Sequence, residues 1–214
     1  WKSVTLSIRT QNAEYNAMRT PRIAILGIQG GIEEHLAMLQ RIPDIVSYAT
    51  YKTSELASAD GIILPGGEST AIGKLIEDFA LKDVIKQKAQ AGTPIWGTCA
   101  GAILLAKSIE NDTRRHLAVM DITIKRNAYG TQINSFVTYT VLPFLGNEAF
   151  PIVCIRAPII TAVEGTARIL AHLNSDIIAV QQGNLIATTF HPELTEDSRF
   201  HLWFANLVKK QTSH

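Results

Sequence analysis

The 214-residue chain is 46% hydrophobic and 18% charged, a balance that fits a well-packed globular protein and excludes a disordered one. Twenty basic residues against nineteen acidic ones give a net charge of +1, so the basic excess that marks binding to nucleic acid or to an anionic membrane surface is missing. No apolar run approaches the roughly 18 residues of a membrane-spanning helix, and two cysteines make no disulfide framework, which points to a reducing, cytoplasmic setting.

Residues 1–17, "WKSVTLSIRTQNAEYNA", lack the uninterrupted apolar core of a secretory signal. Met18, in "MRTPRIAILGIQG", reads like a natural start that leads at once into a first strand, so 1–17 is set apart as an extension or leader and 18–214 as one folded domain. "RIAILGI" is a β-rich apolar run ending at Gln29-Gly30-Gly31, and "IEEHLAMLQRI" repeats apolar residues at Ile32, Leu36, Leu39 and Ile42, a helical spacing. The pattern recurs: "IVSYATY" as a strand, "SELASAD" as a short helix, "GIILPGGEST" as a strand running into a Gly-Gly loop, and "AIGKLIEDFALKDVIKQKAQAG" as helical material. "TPIWG" and "AGAILLAKSI" predict the next strand and helix. Apolar strands alternating with amphipathic helices imply a parallel sheet covered on both faces, with function at the carboxyl ends of its strands.

From about Leu117 the texture changes to strands with little helix between them: "MDITIKRNAYG", "INSFVTYTVL", "FPIVCIRAP", "DIIAVQQG" and "NLIATTF", where the sheet is expected to gain antiparallel members. "SRFHLWFANLVKK" closes the chain as a helix with Phe200, Trp203, Phe204 and Leu207 on one stripe and basic residues in its last turn.

Three stretches carry candidate chemistry. Gly97-Thr98-Cys99-Ala100-Gly101 has the form of a nucleophile elbow between strand and helix, in which the positions two before and two after the nucleophile must be nearly without side chain. A thiol on such a turn projects at a helix N-terminus, where dipole and free N–H groups favour thiolate and can receive an oxyanion. Taken alone, the motif leaves a buried structural cysteine equally open. "TTFHPEL" offers a base with its orienting carboxylate: in an extended segment His191 and Glu193, two apart, share a face. "ILPGGEST" can expose backbone N–H groups at Gly66-Gly67, with Ser69 or Thr70 capping the next helix. His35, His116, His172, His201 and His214 show no metal-ligand spacing, Cys154 sits in an apolar strand as a core thiol, and no dinucleotide or phosphate-loop fingerprint is present.

In their order, PGGES, G-x-C-x-G and HPE resemble the class I (triad) glutamine amidotransferases, from about Arg22 to Val208. Within that class "LGIQGGIEEH", "LPGGEST", "WGTCAGAILLA", "MDITIKRNAYGTQINSF", "IRAP" and "ATTFHPELTEDSRFHLWF" are similar to the glutaminase-subunit family of pyridoxal phosphate synthases, and "RNAYG" and "IRAP" discriminate it from other triad amidotransferases. The resemblance implies a three-layer α/β sandwich with a mostly parallel, flavodoxin-like central sheet and some antiparallel strands in the C-terminal half. It implies Cys99 as nucleophile, His191 as base and Glu193 as third triad member, with Gly67 and Ala100 N–H groups as the oxyanion hole. Gly67, Glu68 and Ser69, Arg126, and the Ile155-Arg156 pair match the family's glutamine contacts; an arginine fork suits the substrate's α-carboxylate. The implied reaction is hydrolysis of L-glutamine through a γ-glutamyl thioester, the ammonia passing to a (β/α)8-barrel synthase subunit. On this basis the chain is expected to need no metal and no cofactor of its own, pyridoxal phosphate being the product of the complex, and to be weakly active until the synthase docks and completes the loop near Gly66-Gly67. Two positions depart from the family pattern: Gly31, where an Asp is usual, in a region expected to face the partner, and Thr131, where a basic residue is common, neither expected to touch the triad. The alternatives are the glutaminase of another pathway, against which "RNAYG" and "IRAP" count, and a cysteine peptidase or a non-catalytic binder on the same fold.

Overall fold

The computed structural model describes residues 19–126 and 135–213; the extension over 1–17 and the departure at Thr131 lie outside the described residues. In chain order the elements are β1 (Arg22–Leu26), α1 (Ile32–Leu39), β2 (Val46–Thr50), α2 (Thr53–Ala57), β3 (Gly61–Leu64), α3 (Ser69–Asp78), α4 (Lys82–Gln90), β4 (Ile95–Thr98) and α5 (Ala100–Leu105). There follow β5 (Ala106–Ile109), β6 (Met120–Lys125), β7 (Ser135–Val141), β8 (Ala149–Ile155), β9 (Ile159–Val163), β10 (Arg168–Leu173), β11 (Asp176–Gln182), β12 (Leu185–Thr188) and α6 (Arg199–Thr212).

The central strands are apolar throughout because both faces are covered. Ala24 and Leu26 of β1, Ile62 and Leu64 of β3 and Ile95 of β4 face one core, filled from the helical side by Leu56, Ile72, Ile76, Ile85 and Leu104. The alternate residues Ile23, Ile25, Ile63 and Trp96 face the other, where Leu39 of α1, Phe200, Phe204 and Val208 of α6, and Phe150 and Ile152 of β8 close over them. The result is three layers with the sheet in the middle.

The strand order is β2-β1-β3-β4-β12-β11-β9-β6-β5, with β10 paired to β11, while β7 and β8 form a separate antiparallel ribbon. Pairing is parallel from β2 through β1, β3 and β4 to β12. It becomes antiparallel from β12 through β11 and β9 to β6, as the change of texture past Leu117 implies. Because β12 lies against β4, the last strand of the chain delivers its carboxyl end beside the Cys99 turn.

Three local expectations change. The helix expected over "AGAILLAKSI" ends at Leu105, and Ala106–Ile109 is a strand paired with β6; unbroken apolar character through Ala106 hides the switch. β9 and β10 have no counterpart among the strands expected from the sequence, β10 because bulges at Ile169 and Ala171 break its alternation. The stripe on α6 is also rotated: Phe200, His201, Phe204, Ala205 and Val208 are buried, while Trp203 and Leu207 flank the core half-buried. Phe200 stacks on Trp96, ring centroids 4.6 Å apart, which anchors α6 beneath the strand that carries the elbow.

Candidate active site

Loops from the carboxyl ends of β1, β3, β4 and β12 meet at one point of the sheet. Cys99 sits on the β4–α5 turn with φ 47° and ψ −101°, a conformation that non-glycine residues avoid and that the surrounding structure must enforce. The enforcement is visible in its neighbours. A β-carbon on Gly101 would stand 2.0 Å from the Leu64 carbonyl oxygen, and one on Gly97 2.4 Å from the Gly101 backbone, so the turn closes only with glycine at both places. The Cys99 N–H donates to the Thr188 carbonyl at 2.8 Å, tying the turn to β12.

His191 follows β12, its N–H bonded to the Val153 carbonyl at 2.9 Å, and its Nδ1 lies 2.7 Å from Glu193 Oε1. The two side chains meet as expected, but not through an extended segment: Pro192–Leu194 is a 3-10 turn entered from His191, with proline at its first position. Proline fixes the φ of that turn and needs no N–H there, and the tight turn brings the carboxylate back to the ring. Gly66 separates the imidazole from the thiol so closely that a β-carbon there would lie 2.5 Å from His191 Cε1 and 3.4 Å from Cys99 Cβ. Burial works to lower the His191 pKa, but the contacts with Cys99 and Glu193 outweigh it and push it up to about 10. The group is thus held as an imidazolium between a thiol and a carboxylate, the charge pattern of a nucleophile–base–orienter constellation. Cys99 and His191 keep 7% and 8% exposure, enough to be reached from outside, whereas Glu193 is buried.

Ala100 opens α5 directly after Cys99, and Gly67 stands on the loop that leaves β3. The Gly66 carbonyl accepts from the Gly31 N–H at 3.1 Å, and the Glu68 N–H donates to Gln29 Oε1 at 3.1 Å, so the Gly66-Gly67 loop is pinned from the carboxyl end of β1. Ser69 and Thr70 do not cap α3. Glu68 does, accepting from the Thr70 and Ala71 N–H groups at 3.1 and 2.7 Å, because its carboxylate has two oxygens and the reach to use both. Ser69 is instead the buried first residue of the helix.

Arg126 comes to the same place from the end of β6. Its guanidinium donates to Glu68 Oε1 at 3.1 Å and to Thr70 Oγ1 at 3.2 Å and lies 3.6 Å from Asp112 Oδ2. Asp112 also pairs with Arg114, which together with the nearby Arg126 holds its carboxyl well below the usual range. Ile155 ends β8 with its carbonyl 3.9 Å from Cys99 Sγ, and Arg156 follows it, exposed and at φ 45°. Cys154, one residue earlier, points into the core, where burial pushes its thiol up to about 12. Every described residue assigned to the site by resemblance therefore belongs to this one cluster of loops.

The structure adds residues that the motifs do not mark. In the sequence Gln29 and Gly31 read only as a turn, although they too stand at a strand's carboxyl end. Gly31, expected to stay clear of the triad, does not: a β-carbon there would lie 3.3 Å from Glu193 Oε1, so an acidic side chain in its place would crowd a buried carboxylate with like charge. His35 and His201 are fully buried near Glu193. A signal for His35 is present in the sequence: it sits three residues after Ile32 and four before Leu39, on the apolar stripe of α1. Among the described residues no group of three or more His, Cys, Asp or Glu is placed to hold a metal ion, and no helix is long and apolar enough to cross a membrane.

Comparison with known proteins agrees with this geometry. The SNO glutamine amidotransferase family matches residues 25–210. The chain is 48% identical over 187 residues to the pyridoxal 5'-phosphate synthase subunit PdxT of Ruminiclostridium cellulolyticum, covering 87% of this chain and 99% of that protein. It is 50% identical over 186 residues to the subunit of the same name from Caldanaerobacter subterraneus subsp. tengcongensis, covering 87% and 98%. A crystal structure of a glutamine amidotransferase superposes with a TM-score of 0.82 at 37% identity, over 87% of this chain and 98% of that one. A GMP synthase component from Thermoplasma acidophilum, at TM-score 0.61 and 16% identity, covering 90% and 96%, shares the fold.

Proposed function

Because the chain belongs to the SNO glutamine amidotransferase family, we propose that Cys99, His191 and Glu193 are the triad that carries its glutaminase chemistry. The protein is a glutaminase subunit of a pyridoxal 5'-phosphate synthase, releasing ammonia from L-glutamine for a partner synthase subunit. The observation that carries the triad assignment is the strained Cys99 elbow facing a histidine already locked to a carboxylate at 2.7 Å.

The chemistry follows from the positions. The Cys99 sulfur attacks the side-chain carbonyl carbon of glutamine, and the charge that develops on the oxygen is received by the N–H groups of Gly67 and Ala100. His191, cationic in the resting site, gives its proton to the departing nitrogen, so the C–N bond breaks and ammonia leaves a γ-glutamyl thioester. His191, now neutral, takes a proton from water as the water adds to the thioester, and glutamate leaves with the thiolate restored. Glu193 keeps the imidazole in one orientation and stabilises its cationic form throughout.

The Glu68–Arg126 ion pair is complementary to the α-ammonium and α-carboxylate of a free amino acid, and entry of the zwitterion exchanges one internal pair for two external ones. Arg156 and the Ile155 carbonyl close the site from the β8 side. The synthase subunit is read as a (β/α)8 barrel, and its docking reaches the Gly66-Gly67 loop through the Gln29–Gly31 segment that pins it. The reaction uses no group beyond the protein and water.

The test is ammonia release from glutamine by the chain with and without its synthase. Activity rises with the synthase and falls to background in Cys99→Ala. Undiminished release by Cys99→Ala removes the nucleophile assignment.

A further inference from the structure

Glu193 has two carboxylate oxygens, and the triad uses one. Oε1 pairs with His191 at 2.7 Å, whereas Oε2 is buried without a hydrogen-bond partner among the described residues. Facing Oε2 at 3.6 Å is His35 Nε2, which also lies 3.3 Å from the Thr98 hydroxyl, the residue before the nucleophile. The other nitrogen of the ring, His35 Nδ1, lies 2.9 Å from His201 Nε2, and His201 Nδ1 is buried without a partner among the described residues. Neither ring has any solvent exposure.

These contacts decide where the protons sit. Burial holds both rings neutral: it takes the His35 pKa well below the ordinary value, reinforced by His201 and His191, and with help from Arg41 it takes His201 down to about 3. A neutral imidazole has one N–H and one lone pair, so the 2.9 Å contact runs one way only. Were His35 the donor, its Nε2 would turn a lone pair toward an anionic oxygen, and His201 would carry an orphaned N–H in the core. With His201 as donor both penalties vanish: what stays unpaired is a bare ring nitrogen, and His35 carries its proton on Nε2.

We propose that His201 and His35 form a positioning relay for the triad, in which His201 Nε2–H fixes the His35 tautomer and His35 Nε2–H holds the second oxygen of Glu193. At 3.6 Å the last contact is an electrostatic one, longer than a hydrogen bond. Its effect is on geometry: a carboxylate gripped at Oε2 presents Oε1 to His191 in one orientation, as groups behind a ligand commonly orient it. Through Thr98 the same ring ties Glu193 to the strand that bears Cys99. His35 acts through Glu193 and is a positioning residue.

The inference rests on the glutaminase reading, and the experiment keeps the two apart. Ammonia release by the wild-type complex with its synthase tests that reading; a wild type without glutaminase activity sinks it whatever His35 does. The relay is then read from two variants. His35→Asn keeps an acceptor near the Nδ1 position for His201 and withdraws the donor from Glu193, while His35→Gln sets an amide N–H near the Nε2 position. His35→Asn is expected to lose about ten- to a hundredfold in kcat with the glutamine KM within about twofold, and His35→Gln to recover most of it. The imidazole 15N titration of His191 in the full chain, which needs no turnover, shifts to lower pH in His35→Asn and returns in His35→Gln. A folded His35→Asn with wild-type kcat and titration overturns the relay, as does a His35→Gln no better than His35→Asn. If His35→Asn does not fold, His201→Phe decides: it removes the donor that sets the tautomer, and unchanged kcat and His191 titration there overturn the proposal.

Discussion

Arg156 holds a left-handed backbone conformation directly after the carbonyl that faces Cys99, and such strain in a non-glycine residue costs on the order of 1 kcal/mol or more. A charged side chain kept at that cost beside a reactive thiol is expected to bind substrate: Arg156→Ala raises the glutamine KM about tenfold or more, the worth of a charge-assisted hydrogen bond. Steady-state kinetics on the complex reads it, and an unchanged KM removes Arg156 from the site. His191 links the site to stability. Its folded pKa is raised to about 10 from an ordinary 6.5, so the stabilisation is complete below about 6.5 and is lost as pH rises toward 10. Urea denaturation between about pH 6 and 10 should show the wild type losing stability across that window, with a smaller slope in Glu193→Gln; parallel profiles would contradict the coupling. Single residues are legible where a motif names them. Cys99, His191 and Glu193 announce themselves by short-range spacing, whereas Gln29, His35 and His201 act through contacts between α1, α6 and the loop after β3, which no local pattern records.

At the scale of elements, the elbow is a joint between three strands. Gly101 meets the Leu64 carbonyl of β3, and Cys99 hangs from Thr188 of β12. Gly101→Ala drives a methyl group into rigid backbone and is expected to cost about 3 kcal/mol or force the turn open; chemical denaturation reads the first and loss of glutaminase activity in folded protein the second. A folded, fully active Gly101→Ala would mean that the turn is looser than its contacts imply. The elements themselves are legible where period and punctuation agree. Strand, glycine turn and helix repeat cleanly through α5, and the alternation of β1, β3 and β4 between two cores explains why their residues are apolar without a break. β5 and β10 are not legible, since one continues an apolar helix without a breaker and the other is bulged. The 3-10 turn at Pro192 escapes as well: a proline after His191 is equally compatible with an extended chain.

The whole molecule places a compact site on a sheet assembled out of sequence order. Class and layering can be read from alternation alone, but the insertion of β12 between β4 and β11 cannot, because pairing partners far apart in the chain leave no periodic trace. That insertion also orders events during synthesis. The nucleophile strand emerges from the ribosome long before the strand that brings its base, and until β12 arrives β4 has an open edge and Cys99 lacks the Thr188 carbonyl that holds its turn. An unfinished chain therefore carries a cysteine without a catalytic apparatus, and glutamine is safe from it until translation is nearly complete.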